Sequence, residues 1–170
     1  MGEITLVLGG ARSGKSRWVV EKAKEKFGDN VIFIATAQPS DEEMKERILQ
    51  HRKEKPSSWR TIEEPLSIWK VIENWEDFQG GVIVDCVTLW IANIMEKGKN
   101  VEEEVEKFIS AVQKFRGELY AVSNEVGMGL VPPYPLGRKF RDILGWVNQR
   151  LASQSKEVYL MFAGIPLKIK

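Results

Sequence analysis

Cysteine and histidine are nearly missing from this sequence: each occurs once, as Cys86 and His51. A single cysteine excludes an internal disulfide and a cysteine-built zinc cage. The strand-like residues before Cys86 predict an inert buried thiol. Charge of one sign is missing too. Lys plus Arg is 25 against 24 for Asp plus Glu, a formal net charge of +1, so neither a nucleic-acid surface nor a polybasic membrane patch is expected. No apolar run approaches the ~20 residues of a transmembrane helix, so no membrane insertion is expected. A strand begins almost directly after Met1, so no signal peptide is expected, and Leu6 stands where a myristoylation signal needs Ser or Thr. Repeats, low-complexity tracts and linkers are absent, as is an Asn-Lys-x-Asp guanine-reading motif. The expectation is one cytoplasmic α/β domain over residues 1–170, long enough to bury a core.

What is present begins with Gly9-Gly10-Ala11-Arg12-Ser13-Gly14-Lys15-Ser16. The apolar, β-rich run Ile4-Thr5-Leu6-Val7-Leu8 precedes it, and Arg17 to Ala23 reads as helix. Strand, G-x-x-x-x-G-K-S turn and helix together make a P-loop, a nucleoside triphosphate site. Glycines let backbone N–H groups close around phosphate oxygens, and the helix N-terminus adds partial positive charge. Lys15 can reach the β/γ-phosphates and the Ser16 hydroxyl can meet a magnesium ion.

Downstream the chain alternates between strand and helix. Gly28-Asp29-Asn30 is a turn and Val31 to Thr36 a buried parallel strand, so Ala35, Thr36 and Ala37 should end near the P-loop. A helix capped by Ser40 runs to about Lys53, with Met44, Arg47, Ile48 and His51 on one face. Arg47, Arg52, Lys53 and Lys55 make the surroundings of His51 cationic, which should suit triphosphate oxygens and keep the ring neutral and nucleophilic. The same run also fits a solvated helix end. Glu63 follows on a short strand as a surface acid. Leu66 to Trp75 is helical, and Val82-Ile83-Val84-Asp85 is a buried strand whose final acid stands where P-loop proteins hold magnesium. Helices follow at 87–95 and 101–115, the second with Glu102, Glu103, Glu104 and Glu106 as a solvated outer face. A strand at 118–123 runs into a shaped loop with Gly127, Gly129, Pro132, Pro133 and Pro135. A helix over 137–155, a strand over 157–163 and a short edge strand near Pro166 complete the chain.

Four blocks carry a resemblance: the P-loop; Asp41-Glu42-Glu43-Met44 through Arg47-Ile48, His51, Pro56, Trp59-Arg60-Thr61 and Glu63; Asn124-Glu125-Val126-Gly127-Met128-Gly129-Leu130-Val131-Pro132; and Phe140-Arg141-Asp142-Ile143 with Val147-Asn148-Gln149-Arg150-Leu151-Ala152. In this order, over nearly the whole chain, they resemble the bifunctional adenosylcobinamide kinase / adenosylcobinamide-phosphate guanylyltransferase family of cobalamin biosynthesis. The resemblance implies a RecA-like P-loop fold with a mostly parallel sheet flanked by helices, and a homotrimer. It implies phosphorylation of adenosylcobinamide by a nucleoside triphosphate, then guanylyl transfer from GTP through a guanylyl-histidine. ATP and GTP would be substrates and Mg2+ the cofactor, held by Ser16 and Asp85. His51 matches the guanylylated histidine, with Lys15 the second catalytic residue. Nucleotide contacts fall on Gly9, Gly10, Ala11, Arg12, Ser13, Gly14, Lys15, Ser16, Ala35, Thr36, Ala37, Arg52, Lys53, Glu54, Lys55, Glu63 and Asp85. The residues by themselves also allow a plain P-loop small-molecule kinase with only one of the two activities.

Overall fold

Residues 3–9 form β1 (Glu3–Gly9), whose large apolar side chains are covered on both faces of the sheet. The computed structural model describes residues 2–170. After β1 come α1 (Lys15–Phe27), β2 (Val31–Ala35), α2 (Glu42–Glu54), β3 (Arg60–Glu63), α3 (Ile68–Asn74) and β4 (Gly81–Asp85). Then follow α4 (Val87–Glu96), α5 (Val101–Lys114), β5 (Glu118–Asn124), α6 (Pro135–Gln154), β6 (Glu157–Phe162) and β7 (Ile165–Lys168).

All strands join one seven-stranded sheet in the order β3-β2-β4-β5-β1-β6-β7. Neighbours pair in parallel except β7, which runs antiparallel to β6 at the edge. Pro166 sits in that edge strand, where a missing N–H is tolerated. Strand alternation divides the core. Leu6, Ile34, Val84, Leu119 and Ala121 face α3, α4, α5 and α6. Val7, Phe33, Ile83, Tyr120 and Val122 face α1, which contributes Val19, Val20 and Ala23. Trp59 plugs this second core, its Nε1–H donating to the Gly28 carbonyl at 2.8 Å.

Several expectations change. Asp41, not Ser40, caps α2: its Oδ1 accepts the Met44 N–H at 2.7 Å. No residue of α2 is buried; Met44 and Ile48 are half-buried, and Arg47 pairs with Glu43 on the same helix. The outer face of α5 is not uniformly solvated. Glu104 is buried, accepting from Trp69 Nε1 at 2.9 Å and Lys107 Nζ at 3.1 Å. Burial pushes its carboxyl up, but these two donors outweigh that and hold it below the usual range. Glu106 is tied to Arg150 of α6 by two nitrogens of the guanidinium. Boundaries also move: α3 is shorter than the periodicity implied, and α6 begins two residues early with Pro135 in its first turn.

Candidate active site

The P-loop lies between β1 and α1 with its backbone preformed. Gly14 is the N-cap of α1 at φ 93°, a left-handed conformation costly for any residue with a side chain. Capped by a glycine, the first amides of α1 take no side-chain hydrogen bond, and no acid stands in the first turn. They remain available to an anion. Gly9 is needed for close approach: a Cβ there would stand 2.5 Å from Ser13 Oγ and 2.8 Å from the Met161 carbonyl. Gly10, Ala11 and Arg12 form the exposed mouth, while Ser13 and Lys15 are buried. Lys15 Nζ donates to the Gly10 carbonyl at 2.6 Å. Burial pulls its ammonium below the ordinary lysine range, against the opposing pull of Cys86 and Asp85.

The carboxyl ends of β2 and β4 are clamped together beside this loop. Thr36 N–H donates to the Asp85 carbonyl at 3.2 Å. The Thr36 hydroxyl donates to the Cys86 carbonyl at 2.7 Å and accepts the Cys86 N–H at 2.9 Å, across a cis Asp85–Cys86 peptide. Asn93 of α4 ties in β3, its Nδ2 donating to the Thr36 and Pro65 carbonyls. Ala35 and Ala37 flank Thr36, both half-buried. Cys86 caps α4 through Sγ, which accepts the Leu89 N–H at 3.5 Å. Burial pushes its thiol up to about 12, so it is protonated and inert at neutral pH, as expected.

Asp85 carries the site's unspent capacity. Its Oδ2 is sealed from solvent and has no hydrogen-bond partner among the described residues. Burial pushes the carboxyl up; the Ser16 hydroxyl beside it, then His51 and Lys15, favour the charged form without offsetting that cost. A sealed carboxylate oxygen beside a serine hydroxyl at the foot of a P-loop is a donor set suited to a hard, oxygen-seeking cation such as Mg2+. The residues fit the metal that the sequence implied.

The end of α2 reaches the same neighbourhood. Lys55 lies over the Phe33 ring at 4.7 Å, and burial, then Arg52, pulls its ammonium below the usual lysine range, while Asp85 and Glu63 oppose. Arg52 pairs with Glu63, so this acid has a partner rather than standing free on the surface. The expected cationic setting of His51 holds only in part: Arg52 and Lys53 follow it, but its Nδ1 faces the Glu54 carboxylate at 3.6 Å, one turn on. Lys53 is exposed and makes no ion pair or side-chain hydrogen bond among the described residues.

Two placements do not follow from the sequence reading. The β6–β7 turn, with Ala163 and Gly164 at positive φ, braces the P-loop through Gly164 N–H, which donates to the Ser13 carbonyl at 2.9 Å. A two-residue Ala-Gly step between strand-like runs was the available signal. Asn124 ends β5 beside Gly9, and only the strand order places it there.

A family model described as cobinamide kinase / cobinamide phosphate guanyltransferase matches residues 5–169. This chain belongs to that family. The bifunctional adenosylcobalamin biosynthesis protein CobP of Pseudomonas aeruginosa is 38% identical over 167 residues, covering 97% of this chain and 96% of that protein. The bifunctional adenosylcobalamin biosynthesis protein CobU of Escherichia coli K12 is 40% identical over 184 residues, covering 97% and 98%. Among solved structures, the flagellar accessory protein FlaH of Methanocaldococcus jannaschii aligns with a TM-score of 0.55 at 12% identity, covering 99% of this chain and 78% of that one. An ATPase from the type III secretion system of pathogenic bacteria aligns at 0.56 and 10% identity, covering 93% and 50%. These two share the fold: a P-loop NTPase sheet carries the cobinamide kinase / guanylyltransferase family's sequence.

Proposed function

We propose that one nucleotide site serves both reactions of the family in this chain. Gly9 to Ser16 hold the phosphates of ATP or GTP, with Ala35, Thr36 and Ala37, Arg52 to Lys55 and Glu63 lining the approach. When bound, Mg2+ would be held by Ser16 and Asp85 and would supply positive charge beside the transferring group. In the kinase step the side-chain hydroxyl oxygen of adenosylcobinamide attacks the γ-phosphorus. An O–P bond forms, the β–γ bridging bond breaks, the hydroxyl proton is lost, and the nucleoside diphosphate departs. Lys15 neutralises charge on the transferring phosphoryl oxygens.

In the guanylyl step a His51 ring nitrogen attacks the α-phosphorus of GTP. The new N–P bond replaces the bond to pyrophosphate, which leaves. A phosphate oxygen of adenosylcobinamide phosphate then attacks that phosphorus and releases His51, giving adenosylcobinamide-GDP. Glu54, whose carboxylate lies 3.6 Å from Nδ1, can orient the ring, with Nε2 as the attacking nitrogen.

The observation that carries this reading is the convergence on Asp85. The Ser16 hydroxyl stands beside the carboxyl whose Oδ2 is sealed and unpartnered, Lys15 is buried in the same loop, and His51 at the end of α2 lies near enough to bear on that carboxyl. A plain kinase has no use for a histidine there. Incubation with α-labelled GTP tests the assignment. Acid-labile, base-stable label should appear on the wild-type protein and vanish in His51→Ala; unchanged labelling of the variant would sink it.

A homotrimer is part of the same proposal. Met128, Leu130, Val131, Tyr134 and Leu136 expose a run of apolar side chains between β5 and α6, and Phe162, Ile165 and Leu167 expose another on the β6–β7 hairpin. Apolar surface of this extent usually meets another protein surface. We place the enzyme in the cytoplasm, where nucleoside triphosphates are made; no helix among the described residues is long and apolar enough to cross a membrane.

A further inference from the structure

Strand order puts β5 between the P-loop strand and the strand that ends in Asp85. Whatever side chain closes β5 on the α1 face therefore stands between Lys15 and Asp85. That residue is Asn124. Along β5, Leu119 and Ala121 belong to the core under α4, α5 and α6, whereas Tyr120 and Val122 belong to the core under α1. Ser123 keeps the alternation, its hydroxyl donating to Asn148 of α6 at 2.6 Å. Asn124 must then face α1.

The neighbouring strand confirms the direction. Asn124 is the register partner of Gly9, and paired residues of adjacent strands share a face. A Cβ on Gly9 would point at Ser13 Oγ and, at 3.2 Å, at Lys15 Cγ. The face to which Asn124 belongs is the interior of the P-loop. On the other flank, Asp85 pairs with Val122, one step back on the same face.

The backbone of Asn124 is fixed from three directions. Its N–H donates to Thr88 Oγ1 at 2.8 Å, and its carbonyl accepts from Asn148 Nδ2 at 3.1 Å. The next N–H, of Glu125, donates to the Gly9 carbonyl at 2.9 Å. The carboxamide itself is half-buried and takes no hydrogen bond among the described residues. A strand end held this firmly, with its own polar group left over, is preorganised for something that is not protein.

We infer that the Asn124 carboxamide is a catalytic residue of the phosphoryl transfer, donating its amide N–H to the terminal phosphoryl group of the bound nucleoside triphosphate. The inference rests on the P-loop reading above and extends it to a residue which that reading does not use. A neutral donor suits the position. Asp85 already brings one carboxylate, and a second would repel the phosphate. The diphosphate left after transfer lacks the group that Asn124 touches, so the contact separates triphosphate from diphosphate.

The test is calorimetric binding to the purified full-length chain, with a non-hydrolysable triphosphate analogue and with the matching diphosphate. Asn124→Ala should weaken the analogue by about 10-fold and Asn124→Asp by about 100-fold, the scale of a lost, and then a repelled, charge-assisted hydrogen bond. Diphosphate affinity should stay at the wild-type value in both, which also reports that the loop is folded. Phosphoryl-transfer kcat should fall while the KM for the cobinamide substrate holds. Unchanged analogue affinity, or equal losses for analogue and diphosphate, would overturn the inference and leave the P-loop reading standing. Lys15→Ala separates the two: if that variant keeps wild-type affinity for both ligands, the P-loop reading fails and the Asn124 inference with it.

Discussion

The helices α1 and α2 both carry groups assigned to the proposed nucleotide site, yet they are held in opposite ways. α1 sinks Val19, Val20 and Ala23 into the core, and its first turn grows directly out of a loop braced by Gly164. α2 buries none of its residues. Its C-terminal end is fastened by the exposed Arg52–Glu63 pair, by Lys55 over Phe33, and by the Trp59 plug that follows. The proposed binding groups are thus fixed, whereas the proposed nucleophile, His51, rides on a helix held by a few contacts. That division suits an enzyme which must break a nucleotide at two different phosphorus atoms. A rigid cradle keeps the phosphates registered, and a lightly held helix can advance His51 for one reaction and withdraw it for the other.

The largest expected effect comes from breaking the rigid side. Lys15→Ala should lower both activities by about 10²–10³-fold or more, because the same ammonium answers developing charge in either transfer. Loss of only one activity, measured by separate kinase and guanylyl-transfer assays, would mean that the two reactions do not share the cradle.

Loosening α2 should give a smaller and more selective change. An exposed ion pair contributes about 0.2–1 kcal/mol, so Arg52→Ala should move Tm by no more than about 4 °C. Amide exchange in α2 should nevertheless accelerate while that of α1 stays put, and guanylyl transfer should change more than phosphorylation. Parallel acceleration in both helices would erase the distinction between them.

A change of opposite sign in stability concerns the strain built into the fixed site. Asp85 is a half-buried acid with one sealed, unpartnered oxygen, so Asp85→Asn should abolish Mg2+-dependent turnover yet raise Tm by about 2–4 °C, the shift that ~1 kcal/mol produces in a domain of this size. The sign follows from the raised carboxyl. Between the unfolded value of 3.8 and the higher folded one, the native state binds more protons, so wild-type stability falls as pH rises through that window. The advantage of the variant should therefore be present at neutral pH and disappear in acid. A variant less stable than wild type at pH 7 would show that Asp85 is structurally satisfied.

Much of this was legible in the residues. P-loop spacing is local chemistry, and continuous apolar runs mark parallel strands, so β1, α1, β2 and β4 fall where the sequence puts them. Asp85 could be picked out because an acid ending such a run has few structural uses. Glu104 could not: it lies among three other acids, and what buries it is Trp69, 35 positions earlier in the chain. The role of Asn124 was equally hidden, since it depends on β5 lying between β4 and β1, an order that no local pattern encodes. His51 was found on its helix but given incomplete company. Sequence neighbours supplied cations, and the helical turn supplied Glu54.

The brace on the P-loop has a consequence in time. Both neighbours of β1 in the sheet, β5 and β6, come from the second half of the chain, and so does the turn whose Gly164 supports Ser13. The phosphate cradle is therefore synthesised before the strands that complete it. Pairings this distant along the chain form slowly. Nucleotide binding should appear as a late event in refolding, arriving with the hairpin at the edge of the sheet rather than with the helix that carries Lys15.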